Sequence, residues 1–194
     1  ATPWFVNALA ANGFRTDWKA IPESVWKRTR LLYTCSPNNP NGRVMPADEW
    51  AELFALSDRH GFVIASDECY SEIYSGAAPA GALAACAELG EGLANVLVLN
   101  SLSKRSSVPG LRSGFVAGDP DLIAKFSKLR AHGGAVQPMP VLAASAALWR
   151  DETHVEDNRA LYRAKIEDAA KIFGNQFGFY RPAGGFFLWL DVGD

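Results

Sequence analysis

One lysine follows an apolar segment in the middle of the sequence, in the stretch Ser101-Leu102-Ser103-Lys104. The almost wholly apolar run Asn95–Leu99 predicts a parallel strand that is buried on both faces. Ligands of open α/β sheets gather at the carboxyl ends of such strands. The amine of Lys104 is a nucleophile toward carbonyl carbons and is therefore a candidate catalytic group. The alternative is one of many solvated surface lysines.

Other polar side chains follow apolar segments in the same way. Asn39 lies in a proline-rich turn after the segment RLLYTC, and Asp67 and Tyr70 come directly after FVIAS. Arg112 precedes a further apolar segment, SGFVAG. If these segments are neighbouring strands, their ends bring the polar groups to one edge of a sheet. The alternatives are structural: a helix N-cap for Asp67, a packing aromatic for Tyr70, and a turn residue or a surface cation for the other two.

Together these residue types match what pyridoxal 5′-phosphate requires of a protein. The cofactor is an aldehyde that forms a Schiff base with lysine, which Lys104 would supply. Its pyridine nitrogen must stay protonated, and a carboxylate such as Asp67 favours the charged ring. Its phosphate needs charge-assisted hydrogen bonds, which Arg112 with the hydroxyls of Ser101 and Ser103 would donate.

The elements around these groups alternate between strands and helices, which predicts an α/β fold with a doubly wound, mostly parallel sheet. Apolar runs predict strands at 4–9, 30–35, 62–66, 95–99, 113–118 and 184–190. Helical periodicity predicts helices at 46–60, 83–89, 141–149 and 151–173, and a further helix that begins at Asp119-Pro120. His154 is expected on a solvated face of the last of these helices.

Composition favours a globular protein that acts on small molecules. Of 194 residues, 48% are hydrophobic and 21% charged, with a net charge of -2, which gives no electrostatic case for nucleic acid or an anionic membrane. No apolar run is long enough to span a membrane and no signal peptide is visible, so we expect a cytoplasmic protein. Cys35, Cys69 and Cys86 form no CxxC pair, which fits reduced thiols and argues against a metal site.

Three motifs, SPNNPNG, SDECY and SLSKRSSVPGLRSG, resemble in order and spacing the corresponding segments of class I/II aminotransferases, which are fold-type-I pyridoxal-phosphate enzymes. The longer runs FALSDRHGFVIASDECYSEIY and NSLSKRSSVPGLRSGFVAGD are similar to the succinyldiaminopimelate aminotransferases of proteobacterial lysine biosynthesis. The resemblance implies transamination between an amino acid and a 2-oxo acid in a homodimer. The expected pairs are glutamate as amino donor with succinylated amino-oxopimelate as acceptor and, in the reverse direction, N-succinyl-L,L-diaminopimelate with 2-oxoglutarate.

By position, the resemblance also implies roles for single residues. Lys104 corresponds to the lysine that forms the Schiff base and moves the proton at the substrate α-carbon. Asp67 corresponds to the partner of the pyridine nitrogen, and Asn39 and Tyr70 to the donors that bind the phenolic oxygen of the ring. The bond Asn39-Pro40 is a candidate cis peptide, which such turns accommodate at modest cost.

Ser101, Ser103 and Arg112 correspond to phosphate-binding positions of the family. Residues 1–150 correspond to part of the large cofactor-binding domain, and residues 151–194 to the linking helix and the beginning of the small domain. The chain thus resembles the central half of a family member. The family's glycine-rich turn, ring-stacking aromatic and substrate-binding arginine fall outside it.

An aminotransferase that acts on a different amino acid is one alternative, and three other functions also remain. A pyridoxal-phosphate lyase that eliminates a sulfur leaving group would share all of these motifs. A non-enzymatic effector-sensing module of the same fold would need an attached DNA-binding domain, and this sequence contains neither a basic recognition helix nor a linker. A nucleotide-binding α/β domain would need a glycine-rich phosphate motif after a strand, which the sequence lacks.

Overall fold

A computed structural model describes residues 1–134 and 136–193. The strands are β1 (Leu31–Cys35), β2 (Val63–Asp67), β3 (Val96–Ser101) and β4 (Gly114–Gly118). The helices are α1 (Glu23–Trp26), α2 (Ala47–His60), α3 (Ala82–Leu89), α4 (Leu102–Arg105), α5 (Pro120–Gly133), α6 (Met139–Arg150) and α7 (Thr153–Phe173). Short 3₁₀ turns occupy Ala10–Asn12, Trp18–Ala20, Pro109–Leu111 and Gln176–Gly178.

The strands form one four-stranded sheet in the order β1-β2-β3-β4. The first three strands are parallel, and β4 pairs with β3 in the antiparallel direction. The connections between the parallel strands contain α2 and α3, as βαβ units require. The predicted α/β class with a mostly parallel sheet is therefore confirmed.

Helix α2 forms because its apolar residues recur on one face. Trp50, Leu53 and Phe54 follow the spacing that places side chains on the same side of a helix, and all three are buried. The helix ends at His60, where Gly61 adopts a left-handed φ of 70° that a helix C-terminus favours. The prediction of a helix over 46–60 is confirmed to within one residue.

The core lies between this helix, α3 and one face of the sheet. Ile64, Val96 and Val98 alternate with residues of the opposite face and point toward the helices. The same cluster contains buried side chains from the segments before β1, on α2 and on α3: Trp18, Ile21, Trp26, Trp50, Leu53, Phe54, Ala82, Ala85 and Cys86. Burial of this apolar surface holds the parallel strands in register.

Two predicted strands are wrong. In the described part of the chain, residues 4–9 form no strand, and Phe5 is 85% exposed. Residues 184–190 form only one isolated bridge, between Tyr74 and Gly184. Both runs have apolar composition, but a strand also requires a partner strand, and here Phe186 and Phe187 pack against Tyr70 instead.

The C-terminal part of the described chain is helical. Asp119 caps α5 as predicted, since its carboxylate accepts hydrogen bonds from the backbone N–H groups of Asp121 and Leu122 at 2.8 and 3.1 Å. Helix α7 is 21 residues long and amphipathic, with Val155, Ile166 and Ala169 buried. Within residues 1–134 and 136–193, we find no helix that is both long and apolar enough to cross a bilayer.

The substitution Leu53→Ala should lower the free energy of unfolding by about 2–5 kcal/mol, because Leu53 is fully buried and its truncation leaves a cavity. The matched control is Leu161→Ala on α7, where the side chain is 61% exposed and the expected loss is below about 0.5 kcal/mol. Urea unfolding of both variants measures the difference. Equal losses would contradict the position of the core between α2, α3 and the sheet.

Candidate active site

The carboxyl ends of β1, β2 and β3 lie side by side at one edge of the sheet. Cys35 pairs with Asp67, and Asp67 pairs with Leu99. Because side chains alternate along a strand, Ser101 projects from the same face of the sheet as Leu99 and Asp67. Strand β3 ends at Ser101 and α4 begins at the next residue, which places Lys104 on the first turn beyond the strand.

The turn after β1 approaches the segment after β2 at this edge. It contains two cis peptide bonds, Ser36-Pro37 and Asn39-Pro40, and the second confirms a prediction from the sequence. The Asn39 amide Nδ2 donates a hydrogen bond of 3.4 Å to the hydroxyl of Tyr70. Tyr70 is buried, and burial raises the pKa of its phenol, so the hydroxyl keeps its proton at neutral pH.

Aromatic side chains surround the Lys104 amine. Its Nζ lies 5.3 Å from the centre of the Phe186 ring and 6.0 Å from the centre of the Tyr70 ring. Phe186 itself stacks on Tyr162 of α7, with ring centres 5.0 Å apart. The rings stabilise the ammonium group through cation–π attraction and cover it from one side.

Asp67 lies among small polar groups. Its Oδ1 accepts a hydrogen bond from the backbone N–H of Cys69 at 3.0 Å, which fixes the carboxylate at the end of β2. The hydroxyl of Ser101 donates to the Cys69 thiol at 3.4 Å and joins β3 to this segment. Burial raises the pKa of Cys69 and of Cys35 to about 11, so both thiols are neutral beside the Asp67 carboxylate.

Ser103 and Arg112 also lie near the end of β3, but in the part of the chain that the structure describes no side-chain hydrogen bond joins them to each other or to Ser101. Among the described residues, the Ser103 hydroxyl has no hydrogen-bond partner. Arg112 is exposed, adopts a left-handed φ of 52°, and donates one side-chain hydrogen bond of 3.0 Å to the Pro109 carbonyl. Its remaining donors are available to an anion.

Helix α7 holds the backbone around Lys104. The Asn158 amide donates a hydrogen bond of 3.2 Å to the carbonyl of Lys104, and its oxygen lies 3.1 Å from the hydroxyl of Ser107. The amide therefore binds both ends of the turn that contains the lysine. These contacts fix the backbone from which the Lys104 side chain extends.

Arg105 connects the turn that contains Lys104 to the junction of α6 and α7. Only 4% of its side chain is exposed, and its guanidinium donates hydrogen bonds to the Leu148 carbonyl at 2.8 Å and to the Glu152 carboxylate. The guanidinium also lies 5.0 Å from the centre of the Trp149 ring. Separating the Arg105 guanidinium from these partners would leave an unpaired buried charge, which is strongly destabilising. Arg105 therefore holds the turn against α6 and α7.

His154 adds a third connection, and the expectation of a solvated position is wrong. Its two ring nitrogens lie 2.8 Å from the Asp151 carboxylate and 2.8 Å from the Ser106 hydroxyl. Helix α7 places the His154 ring against Ser106 in the segment after Lys104. Helical periodicity does not reveal this long-range contact. Sequence reasoning also missed Phe186, Arg105 and Asn158. For Phe186, the aromatic pair in GGFFLWL was the available signal.

Comparison with known proteins identifies the family. Residues 1–194 match the family model of class I and II aminotransferases. An aminotransferase from Neisseria meningitidis has 52% sequence identity and a TM-score of 0.87, over 91% of this chain and 45% of that one. The chain belongs to the class I and II aminotransferases.

Two further relatives show the range of the family. The 4-dedimethylamino-4-oxo-anhydrotetracycline transaminase of Streptomyces rimosus is 37% identical over 169 residues, which are 85% of this chain and 46% of that protein. A structure described as a probable N-succinyldiaminopimelate aminotransferase from Thermus thermophilus is 27% identical, with a TM-score of 0.82 over 92% of this chain and 48% of that one. The chain therefore spans about half the length of these relatives.

We expect Cys69 and Cys35 to react with iodoacetamide about a hundredfold more slowly than an ordinary thiol near neutral pH. Burial raises both pKa values to about 11, against roughly 8.5–9 for an unperturbed thiol, and only the thiolate is nucleophilic. Peptide-resolved mass spectrometry measures each rate as a function of pH. The urea-unfolded chain is the control, in which both cysteines should react at the ordinary rate. Ordinary reactivity in the folded protein would contradict the neutral thiols beside Asp67.

Proposed function

We propose that the protein carrying this chain is a pyridoxal-phosphate-dependent aminotransferase. One observation carries the proposal: the parallel register places the Asp67 carboxylate and the turn that bears Lys104 at the same edge of the sheet. In this arrangement the primary amine would form an imine with the aldehyde of the cofactor, and the carboxylate would pair with its pyridine nitrogen. Members of the class I and II family use this cofactor.

The residues at this edge fit the cofactor in type. The Lys104 amine is half-buried and, among the described residues, forms no ion pair that would have to break. The phenol of Tyr70 is protonated at neutral pH and, with the Asn39 amide, supplies hydrogen-bond donors for a phenolic oxygen. The neutral thiol of Cys69 leaves Asp67 as the negative charge for a pyridinium nitrogen.

The phosphate group has its own donors in this proposal. Ser101 and Ser103 lie on either side of Leu102, the first residue of α4. Arg112 lies just before β4, where the chain returns to the same region. A guanidinium and hydroxyl groups are strong ligands for a phosphate dianion because their hydrogen bonds are charge-assisted. The free hydroxyl of Ser103 and the exposed guanidinium of Arg112 suit this role.

When bound, pyridoxal phosphate supplies an aldehyde carbon for imine formation and a ring that withdraws electrons from the substrate α-carbon. Lys104 would bind the cofactor covalently and, once released by the amino substrate, its Nζ would carry the proton to and from the α-carbon. Phe186 and Tyr70 would exclude water from one side of that amine. Asp67 would hold the proton on the ring nitrogen.

For the substrate, we propose N-succinyl-L,L-diaminopimelate as amino donor and 2-oxoglutarate as acceptor. Two observations support this substrate: the segments around Asp67 and Lys104 are similar to succinyldiaminopimelate aminotransferases, and the chain is similar in structure to the Thermus protein described as a probable N-succinyldiaminopimelate aminotransferase. We further propose a cytoplasmic homodimer in which residues 1–150 belong to a large domain and residues 151–194 begin a small one. The homodimer and the two domains follow from the resemblance to the family.

The first test measures the half-reaction with L-glutamate. The protein loaded with pyridoxal phosphate should produce 2-oxoglutarate in an amount equal to the bound cofactor. The variant Asp67→Asn should slow this step by about 10- to 1,000-fold, because loss of the carboxylate lowers the pKa of the pyridine nitrogen and reduces its protonated fraction by that factor. The control Asp58→Asn, at an exposed position on α2, should leave the rate unchanged.

The second arm separates transamination from elimination. With a cysteine thioether as substrate, an aminotransferase retains the amino group on its cofactor, whereas a lyase releases pyruvate, ammonia and a thiol. Catalytic release of pyruvate and ammonia without 2-oxoglutarate from glutamate would overturn the proposal.

For the substrate, kcat/KM should be higher with N-succinyl-L,L-diaminopimelate than with free L,L-diaminopimelate, and the reverse order would refute the succinylated donor.

A further inference from the structure

The turn that carries Asn39 is closed by backbone hydrogen bonds that end at Arg43. The Asn38 N–H donates to the Arg43 carbonyl at 2.8 Å, and the Gly42 N–H donates to the Asn38 carbonyl at 2.8 Å. The side-chain oxygen of Asn41 accepts a further hydrogen bond of 3.0 Å from the Arg43 N–H. The position of Asn39 within this turn therefore depends on where the backbone of Arg43 lies.

The Asn39 side chain has little else to hold it. The residue is exposed, and among the described residues its side chain has one hydrogen-bond partner, the hydroxyl of Tyr70 at 3.4 Å. That bond is longer than an ordinary hydrogen bond, so it does little to fix the amide. The backbone of the turn thus determines where the Asn39 amide lies.

The side chain of Arg43 is bound by a buried carboxylate on α2. Its Nη1 donates a hydrogen bond of 2.7 Å to Oε2 of Glu49, and its Nη2 donates to Oε1 of the same carboxylate. Only 1% of the Glu49 side chain is exposed, and its Oε1 also lies 3.1 Å from Nε of Arg15. A bidentate pair fixes the orientation of a guanidinium as well as its distance.

Stability alone is a weak explanation for this buried ion pair. Apolar side chains of similar size often stabilise a protein as well as a buried ion pair does, because both charges must be removed from water. The pair does, however, connect a firmly packed helix to an exposed turn. Glu49 directly precedes Trp50, whose side chain is fully buried in the core.

We propose that Glu49 and Arg43 are positioning residues for Asn39, an inference that rests on the proposed function. Through Arg43, helix α2 holds the turn so that the Asn39 amide lies beside the Tyr70 hydroxyl. Both groups would donate hydrogen bonds to the phenolic oxygen of pyridoxal phosphate. Donors at that oxygen stabilise its charged form and lower the pKa of the proton that the oxygen shares with the nitrogen of Lys104.

The first measurement needs no cofactor. In a proton–nitrogen correlation spectrum of the protein carrying this chain, the assigned side-chain amide signals of Asn39 should move in Glu49→Gln, because the turn loses its bidentate anchor. The matched control is Glu52→Gln on the same helix, whose carboxylate lies 3.9 Å from Arg15, and there the signals should stay in place. Equal movement in both variants, or none in Glu49→Gln, would overturn the proposal.

The second measurement follows the absorbance of bound pyridoxal phosphate as a function of pH. Glu49→Gln should raise the apparent pKa by about one unit, the effect of losing one hydrogen bond to a charged oxygen. Removal of a negative charge by itself would lower that pKa, so the direction separates positioning from a direct charge effect. In an Asn39→Ala background, Glu49→Gln should produce no further rise, because the group that it positions is gone.

The variant Arg43→Lys keeps the test decisive even if Glu49→Gln fails to fold. Lysine retains the charge but cannot form the bidentate pair, so the pKa should rise by a smaller amount. An unchanged or lowered pKa in the folded variants, or an equal rise with and without Asn39, would overturn the role of the pair alone. Absorbance of the unsubstituted protein that Lys104→Ala does not alter would contradict the proposed function, and this inference with it.

Discussion

The parallel register of β1, β2 and β3 is the constraint on which the rest of the structure depends. It places Asp67 between Cys35 and Leu99 and thereby brings three segment ends to one edge of the sheet. A slip of one residue in β2 would turn Asp67 toward the helices and Ile64 away from the core, because side chains alternate along a strand. The apolar contacts of Ile64 with the core under α2 and α3 therefore also fix the position of a carboxylate.

The sheet register alone does not hold Lys104 in place. The four-residue helix α4 is too short to be stable by itself, so the turn depends on tertiary contacts. Arg105, Ser106 and the Lys104 carbonyl are all bound by residues of α6 and α7 that lie more than 40 positions further along the chain. The turn that bears Lys104 is thus specified jointly by the sheet and by the long helix α7.

The sequence was sufficient to predict the parts of the fold that depend on local pattern. The helix at 47–60 and the strand after it follow from the spacing of Trp50, Leu53 and Phe54 and from the apolar run FVIAS. The Asp119 cap also comes from a short segment whose chemistry is local. The cis bond before Pro40 was predicted from the resemblance to the family. Asp67 and the turn that bears Lys104 share one edge of the sheet because β2 pairs with β3. The alternation of elements predicted a mostly parallel sheet but not which strands are neighbours.

Contacts between distant segments could not be predicted in this way. The run GGFFLWL has the composition of a strand, but its phenylalanines pack on Tyr70 and Tyr162 because those rings lie beside it in space. His154 shows the same limit, since its partner Ser106 is 48 residues away along the chain. Periodicity identifies which face of a helix is apolar and carries no information about such polar pairs.

The central claim is that this edge of the sheet presents Lys104 to a carbonyl cofactor, and the most direct measurement is peptide mapping after reduction. The protein carrying this chain would be incubated with pyridoxal phosphate, reduced with borohydride, digested and analysed by mass spectrometry. Our account predicts one pyridoxyl group per chain, on the peptide that contains Lys104, and its absence from Lys104→Ala. Modification spread over the exposed lysines such as Lys171 (74% exposed side chain), with no preference for Lys104, would contradict it.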